Sequence, residues 1–205
     1  MSIGIKKMQY YDYFSTRIWS DNLGNIDNKK IKEEILDFSK KKKSNVISNV
    51  GGYQGHEFYN EELFNTIKEK IPFLKKNLIE EYSMYSWVNI NEYGDYNRPH
   101  AHLNPDRSDQ DENDVLLCGV YYVSVPEKSG GFRFYDARGP YVTQTMHHQY
   151  YLNGVNYQEI YPKEGMLIFF PPWLYHDVDV NLSNESRISI SFNVLTDYKS
   201  INISE

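Results

Sequence analysis

Apolar and polar positions follow two periods along the chain, and the change falls near Met84. Before it, apolar residues recur every three or four positions. Ile31, Ile35 and Phe38 stand at i, i+4 and i+7 behind Asn28, a residue type that caps helices. A helix is therefore expected over Lys29–Lys43. Lys40–Lys43 place cations where the helix dipole is negative, which reads as a solvated helix end rather than a nucleic-acid patch. A second helix is expected after Asn60, with Glu61 and Glu62 in its first turn and Leu63, Ile67 and Ile71 on its buried stripe. Pro72 breaks or kinks it, and Leu74 and Leu78 continue on a following segment.

From Met84 onward the period is two. Strands are expected at Met84–Asn91, Val115–Val125, Gly131–Asp136, Gln149–Leu152, Met166–Phe170, Tyr175–Val180 and Arg187–Leu195. Turn-forming residues separate them, among them Gly94-Asp95, Ser129-Gly130-Gly131, Asn153-Gly154 and Lys163-Glu164-Gly165. Many short strands without intervening helices exclude a parallel α/β sheet and leave a sandwich or barrel. In the last strand Ile188, Ile190, Phe192 and Val194 share one face, and Arg187, Ser189, Ser191 and Asn193 share the other. The polar face belongs either to a wet edge strand or to a barrel strand lining a ligand cavity. In the second case the apolar face packs under the N-terminal helices.

Composition narrows the function classes. The chain has 205 residues, a length that fits one domain, with a helical part at 1–82 and a β core at 83–197. Its 22 basic and 28 acidic residues leave a net charge of −6. That gives no whole-protein attraction to nucleic acid or to an anionic membrane. No apolar run reaches the roughly 18 residues of a membrane span, and the first residues lack the apolar core of a signal peptide. A single cysteine, Cys118, excludes an intramolecular disulfide and fits a reducing compartment, so a cytoplasmic location is expected. Asn104–Asp114 carries five acids and one arginine and reads as a solvated loop near the mouth of a site. It lacks the glycine and glutamate spacing of an EF-hand.

The candidate chemistry lies in Asn97-Arg98-Pro99-His100-Ala101-His102. Histidines at i and i+2 on an extended backbone share a face and can grip one metal, although such a pair can also be a polar surface feature. His176 ends the apolar run Phe169-Phe170-Pro171-Pro172-Trp173-Leu174-Tyr175, which puts it at the end of a buried strand. Arg187 follows eleven residues later. A hairpin turned at Asn181–Asn184 would set their strands side by side. Mononuclear iron oxygenases need this set: three facial ligands, open positions for a chelating keto acid and oxygen, and an arginine fork for the far carboxylate.

These residues, with Ser48-Asn49-Val50-Gly51-Gly52-Tyr53-Gln54-Gly55, Trp87-Val88-Asn89-Ile90-Asn91, Gly119-Val120-Tyr121-Tyr122-Val123, Gly131-Phe132-Arg133-Phe134 and Arg187-Ile188-Ser189-Ile190-Ser191-Phe192-Asn193, resemble the 2-oxoglutarate/iron(II)-dependent oxygenases. More narrowly, the chain is similar to oxygenases of that superfamily found in marine bacteria and tailed phages. The resemblance runs from about Ile18 to the end of the last strand. It implies a mainly β, double-stranded β-helix, a jelly-roll or cupin-like barrel with the N-terminal helices packed outside. It implies iron(II) as metal and 2-oxoglutarate as cosubstrate, in a hydroxylase of a small molecule or a protein side chain. His100 and His176 match the two histidine ligands. Arg187 and Ser189 match the pair that holds the distal carboxylate of 2-oxoglutarate. Tyr122 matches a tyrosine that donates to the same carboxylate, and Asn89 matches a polar residue at the keto-acid end. His102 stands where the superfamily usually has an aspartate or glutamate. Either His102 or a nearby acid such as Asp106 completes the shell.

Two other readings stay open: a cupin-like metalloenzyme without a keto acid, which leaves Arg187 idle, and a non-catalytic β-barrel binding module of a phage. Oligomeric state also stays open. His147 and His148 are adjacent and face opposite sides of a strand, so they are not a ligand pair. His56 reads as structural, in a loop before the second helix. Cys118 reads as a small buried apolar residue. Asp136, Arg138 and Arg133 are candidates for substrate contact or rim ion pairs.

Overall fold

The computed structural model describes residues 15–72, 82–102, 114–136 and 157–196. The strand expected at Gln149–Leu152, the continuation through Leu74 and Leu78, the acid Asp106, Arg138 and the pair His147 and His148 lie outside them. In chain order the elements are β1 (Trp19–Asn22), α1 (Asn28–Lys41), β2 (Asn49–Val50), β3 (Tyr53–His56), α2 (Glu61–Lys70), β4 (Ser83–Asn91), β5 (Tyr96–His100), β6 (Asp114–Ser124), β7 (Phe132–Tyr135), β8 (Tyr157–Ile160), β9 (Met166–Phe170), β10 (His176–Val178) and β11 (Arg187–Thr196). No helix among the described residues is long and apolar enough to cross a membrane.

Both helices start and stop for local reasons. The cap of α1 is Asp27 rather than Asn28: the Asp27 carboxylate accepts from the Lys30 N–H at 3.1 Å. The Asn28 side-chain oxygen is instead engaged by the Tyr121 hydroxyl at 2.6 Å, which pins the helix start to the sheet. Asn60 caps α2 as expected, accepting from the Leu63 N–H at 2.9 Å. Their buried stripes, Ile31 and Ile35 on α1 and Leu63, Phe64 and Ile67 on α2, join one apolar cluster with Ile188, Ile190, Phe192 and Val194. The helices thus cover the apolar face of β11.

The strands form two antiparallel sheets, in the orders β1-β9-β6-β11-β4-β3 and β2-β5-β10-β7-β8. Their facing sides share a second cluster, in which Cys118, Val120, Tyr122 and Phe170 of the larger sheet meet Phe132 and Phe134 of the smaller. This is the mainly β jelly roll implied by the resemblance. β11 lies between β6 and β4, so it is a central strand and the edge-strand reading fails. Phe192 fills the space beside Gly119, where a Cβ would sit 2.2 Å from the ring. The short strands β1, β2, β3, β5 and β8 escaped the sequence pattern, because two to five mostly polar residues give no measurable alternation.

The connection between β10 and β11 also differs from expectation. It does not close a hairpin, because β10 belongs to the smaller sheet and β11 to the larger. Fully buried Asn181 redirects it: its amide donates to the carbonyls of Asn91 and Glu185, at 2.8 and 2.9 Å. The backbone of Asn181 pairs with Gly94 and Asp95. The chain therefore crosses from sheet to sheet, and His176 and Arg187 meet across the cavity rather than along a ladder.

Candidate active site

His100 ends β5 and His176 begins β10, and the two are direct partners in the ladder. His102 follows two residues on, its backbone N–H held by the Pro172 carbonyl at 2.9 Å. The ring centroids of His100 and His176 are 4.4 Å apart, those of His102 and His176 5.0 Å, and those of His100 and His102 5.3 Å. One ligand nitrogen from each of the three lies within 4.8 Å of the others. The surface-pair reading of the two nearby histidines is excluded, because both line a cavity with Trp87, Asn89, Tyr122 and Arg187.

All three rings are tied at Nδ1 to an oxygen. His100 Nδ1 donates to the Arg98 carbonyl at 2.8 Å, His176 Nδ1 to the Leu174 carbonyl at 2.7 Å, and His102 Nδ1 to the Asn193 side-chain oxygen at 2.7 Å. An oxygen that can only accept assigns the proton to Nδ1 and leaves Nε2 with a free lone pair. Burial pushes all three below the ordinary histidine pKa, His102 to about 4, and mutual repulsion adds to the effect at His176 and His102. Three neutral imidazoles with their Nε2 atoms free are the donor set of a first-row metal. The Cys118 sulfur lies 3.0 Å from His102 Nδ1. Burial holds this thiol protonated, so it is an inert neighbour rather than a thiolate ligand.

Opposite the histidines lies Arg187, the first residue of β11, only 2% exposed. Its guanidinium donates to the Ser129 carbonyl at 2.8 Å and forms no ion pair among the described residues. A buried cation in no ion pair is costly, and burial pulls its pKa down against the opposing influence of Tyr122 and Asp179. A carboxylate brought by a ligand would offset that cost. Ser189 faces the same side two residues on, directly opposite Tyr122 on β6 and Asn89 on β4. The Asn89 amide donates to the Ser191 hydroxyl at 3.1 Å, and its side-chain oxygen is buried with no partner. The cavity thus holds a buried cation in no ion pair among the described residues and an unused acceptor on one side, and three imidazole nitrogens on the other. That arrangement fits an anionic chelating ligand bound to a metal.

Residues 85–193, just over half the chain, match the protein family described as "Putative 2OG-Fe(II) oxygenase". The chain belongs to this family. It is therefore an iron(II)- and 2-oxoglutarate-dependent oxygenase, and the readings as a cupin-like enzyme without a keto acid or as a non-catalytic module fall away. No curated protein sequence gives a significant match. Solved structures agree with the fold. The viral collagen prolyl hydroxylase vCPH of Paramecium Bursaria Chlorella virus-1, in its 2-oxoglutarate complex, aligns with a TM-score of 0.55 and 19% identity over 87% of this chain and 96% of its own. A Pseudomonas putida prolyl-4-hydroxylase aligns at 0.60 and 13% over 89% and 94%. HygX of Streptomyces hygroscopicus, with nickel and 2-oxoglutarate bound, aligns at 0.56 and 8% over 89% and 84%.

Some side chains around the oxygenase cavity were missed or misread in the sequence. Asn193 was read only as part of a polar face, and Trp87 only as part of a matching stretch; both touch His102. The alternation of β11 was the available signal for Asn193. Arg133 is committed to structure: it grips Asp177 through two bonds of 2.7 and 3.0 Å, and Tyr135 donates to the same carboxylate. His56 lies on β3 rather than in a loop.

Proposed function

We propose that His100, His102 and His176 hold the iron through Nε2, and that Arg187, Ser189 and Tyr122 receive the distal carboxylate of 2-oxoglutarate. In this reading the whole chain, 1–205, works as one oxygenase domain and hydroxylates a small molecule or a protein side chain. The bound iron supplies oxygen activation driven by decarboxylation of the keto acid. The protein's own part is positional. The three Nδ1–H···O bonds fix the tautomers and aim Nε2 into the cavity before metal arrives. Arg187 fixes the keto acid by its far end, so that the chelating end points at the imidazoles, with Asn89 beside it. Phe132, Phe170 and Val120 keep that end dry, which strengthens each polar contact.

The observation that carries this reading is the buried Arg187, in no ion pair among the described residues, facing three neutral imidazoles across one cavity. His102 as third ligand is supported by its position in that trio. The prolyl hydroxylases among the similar structures make a peptide one candidate substrate class. Iron analysis followed by 2-oxoglutarate decarboxylation, on the wild type and on Arg187→Leu, tests the assignment. Stoichiometric iron with decarboxylation lost only in the variant supports it. Equal decarboxylation by both would overturn the role given to Arg187.

A further inference from the structure

One aromatic group beside the cavity is not used by the proposed reaction. Trp87 and Tyr85 stand at i and i+2 on β4 and so share its inward face. The Trp87 ring is 5.6 Å from the His102 ring, and the Tyr85 ring is 6.2 Å from Trp87. Tyr85 is 40% exposed. Two short steps thus connect a proposed iron ligand to solvent. His56 sits opposite Trp87 in the β3–β4 ladder, stacked on the indole at 6.0 Å and 18°. Its Nδ1 is hydrogen-bonded to the Tyr85 hydroxyl.

Two details of His56 go beyond packing. Among the described residues its buried Nε2 has no hydrogen-bond partner, whereas a histidine kept for structure normally satisfies both nitrogens. Burial also holds its pKa below the ordinary value, so the ring is neutral at neutral pH, and in the Nε2–H tautomer its Nδ1 accepts from the Tyr85 hydroxyl. Next to a phenol, such an imidazole is a ready proton acceptor. A phenol gives up an electron far more easily when its proton can leave along an existing hydrogen bond. The imidazolium then formed would rest against the Trp87 π face and beside Glu57.

We infer that Tyr85, His56 and Trp87 form an electron relay that discharges the iron site when oxygen is activated with no substrate in place. This role rests on the oxygenase reading above. Tyr85 gives one electron through Trp87 to the oxidised iron centre, and its phenolic proton passes to His56 Nδ1. A one-electron reductant in solution, of the ascorbate or thiol class, returns an electron to Tyr85, and His56 returns the proton. Two passes supply two electrons, which with two protons from solvent would return the bound iron to iron(II) and the activated oxygen atom to water.

Two measurements test it. First, metal-free protein is flash-oxidised with a ruthenium polypyridyl, and tyrosyl radical formation is followed optically. The wild type should show a fast phase that Tyr85→Phe lacks. His56→Gln, which can still accept a hydrogen bond but not a proton, should form it several-fold more slowly. Circular dichroism confirms that the variants fold. Second, the iron-loaded enzyme is run with 2-oxoglutarate and oxygen but no substrate. Tyr85→Phe should keep the initial decarboxylation rate, inactivate several-fold sooner, accumulate oxidised Trp87 by peptide mass spectrometry, and gain no protection from ascorbate. Identical radical kinetics in all three proteins would overturn the relay. If the second measurement shows no decarboxylation in any protein, the oxygenase assignment fails instead, and the flash experiment still decides whether Tyr85 and His56 act as a redox pair.

Discussion

The Asn193 side-chain oxygen accepts a hydrogen bond from His102 Nδ1 at 2.7 Å, across 91 positions of sequence. The amide does for His102 what backbone carbonyls do for His100 and His176. Of the three oxygens it is the one that belongs to a side chain, and so the one that substitution can remove. Asn193→Ala should weaken iron binding about 10–100-fold, the usual cost of losing the partner of a ligating histidine. Asn193→Asp should retain it, because a carboxylate also accepts from Nδ1. Anaerobic iron titration checks both, and unchanged affinity in Asn193→Ala would dissociate this bond from metal binding.

Arg187→Leu separates ligand binding from stability. Removing one partner of a buried charge pair costs about 2–5 kcal/mol, so the half-saturating 2-oxoglutarate concentration should rise roughly 30-fold or more. The ligand-free protein should lose little stability, because the guanidinium is buried in no ion pair among the described residues and leucine has no such burden. Iron content should stay at the wild-type level. Urea melts and keto-acid titrations on the same preparation check the two halves; a large loss of folding stability would show Arg187 to be structural.

His102 and Asp106 can be told apart by metal content. His102→Ala should lose iron and coupled turnover, and His102→Asp should keep iron, since a carboxylate there recreates the commoner facial set of two histidines and one acid. Asp106→Ala should leave iron content unchanged. Iron lost in Asp106→Ala and kept in His102→Ala would move the third ligand to the acid.

Acid should loosen the metal-free protein. The three imidazoles are buried neutral, with pKa values below the ordinary 6.5 and about 4 for His102. Unfolding frees them to protonate, so the unfolded state binds more protons and is favoured as pH falls. Stability should be full above about pH 6.5 and decline progressively from there towards about pH 4. Urea midpoints at neutral pH and at about pH 5 read the effect, and equal midpoints would contradict it.

Gly119→Ala should destabilise the sheet. The added Cβ would lie 2.2 Å from the Phe192 ring, itself fully buried between the helices and β6. Overpacking of this kind costs about 1–3 kcal/mol. The double variant Gly119→Ala with Phe192→Leu should recover part of the loss in thermal melts, and no recovery would place the strain elsewhere.

Local periodicity was enough for the helices, the long strands and the two faces of β11, because alternation and helical spacing follow from backbone geometry alone. The histidine pair and Arg187 likewise stood out as candidates by residue type and order, and the structure brings them to one cavity. Other features depend on which strands become neighbours. The sequence suggested a hairpin from His176 to Arg187, but Asn181 anchors that turn to the β4–β5 connection and sends the chain into the other sheet. The same crossing sets the arginine across the cavity from the histidines. The Asn193–His102 bond joins a central strand of one sheet to the segment two residues beyond a strand of the other. His56 reaches Tyr85 and Trp87 only because β3, four residues with no clear alternation, adds itself to the edge of β4. Such pairings are decided by burial and hydrogen bonding over the whole molecule, which no local window of sequence contains.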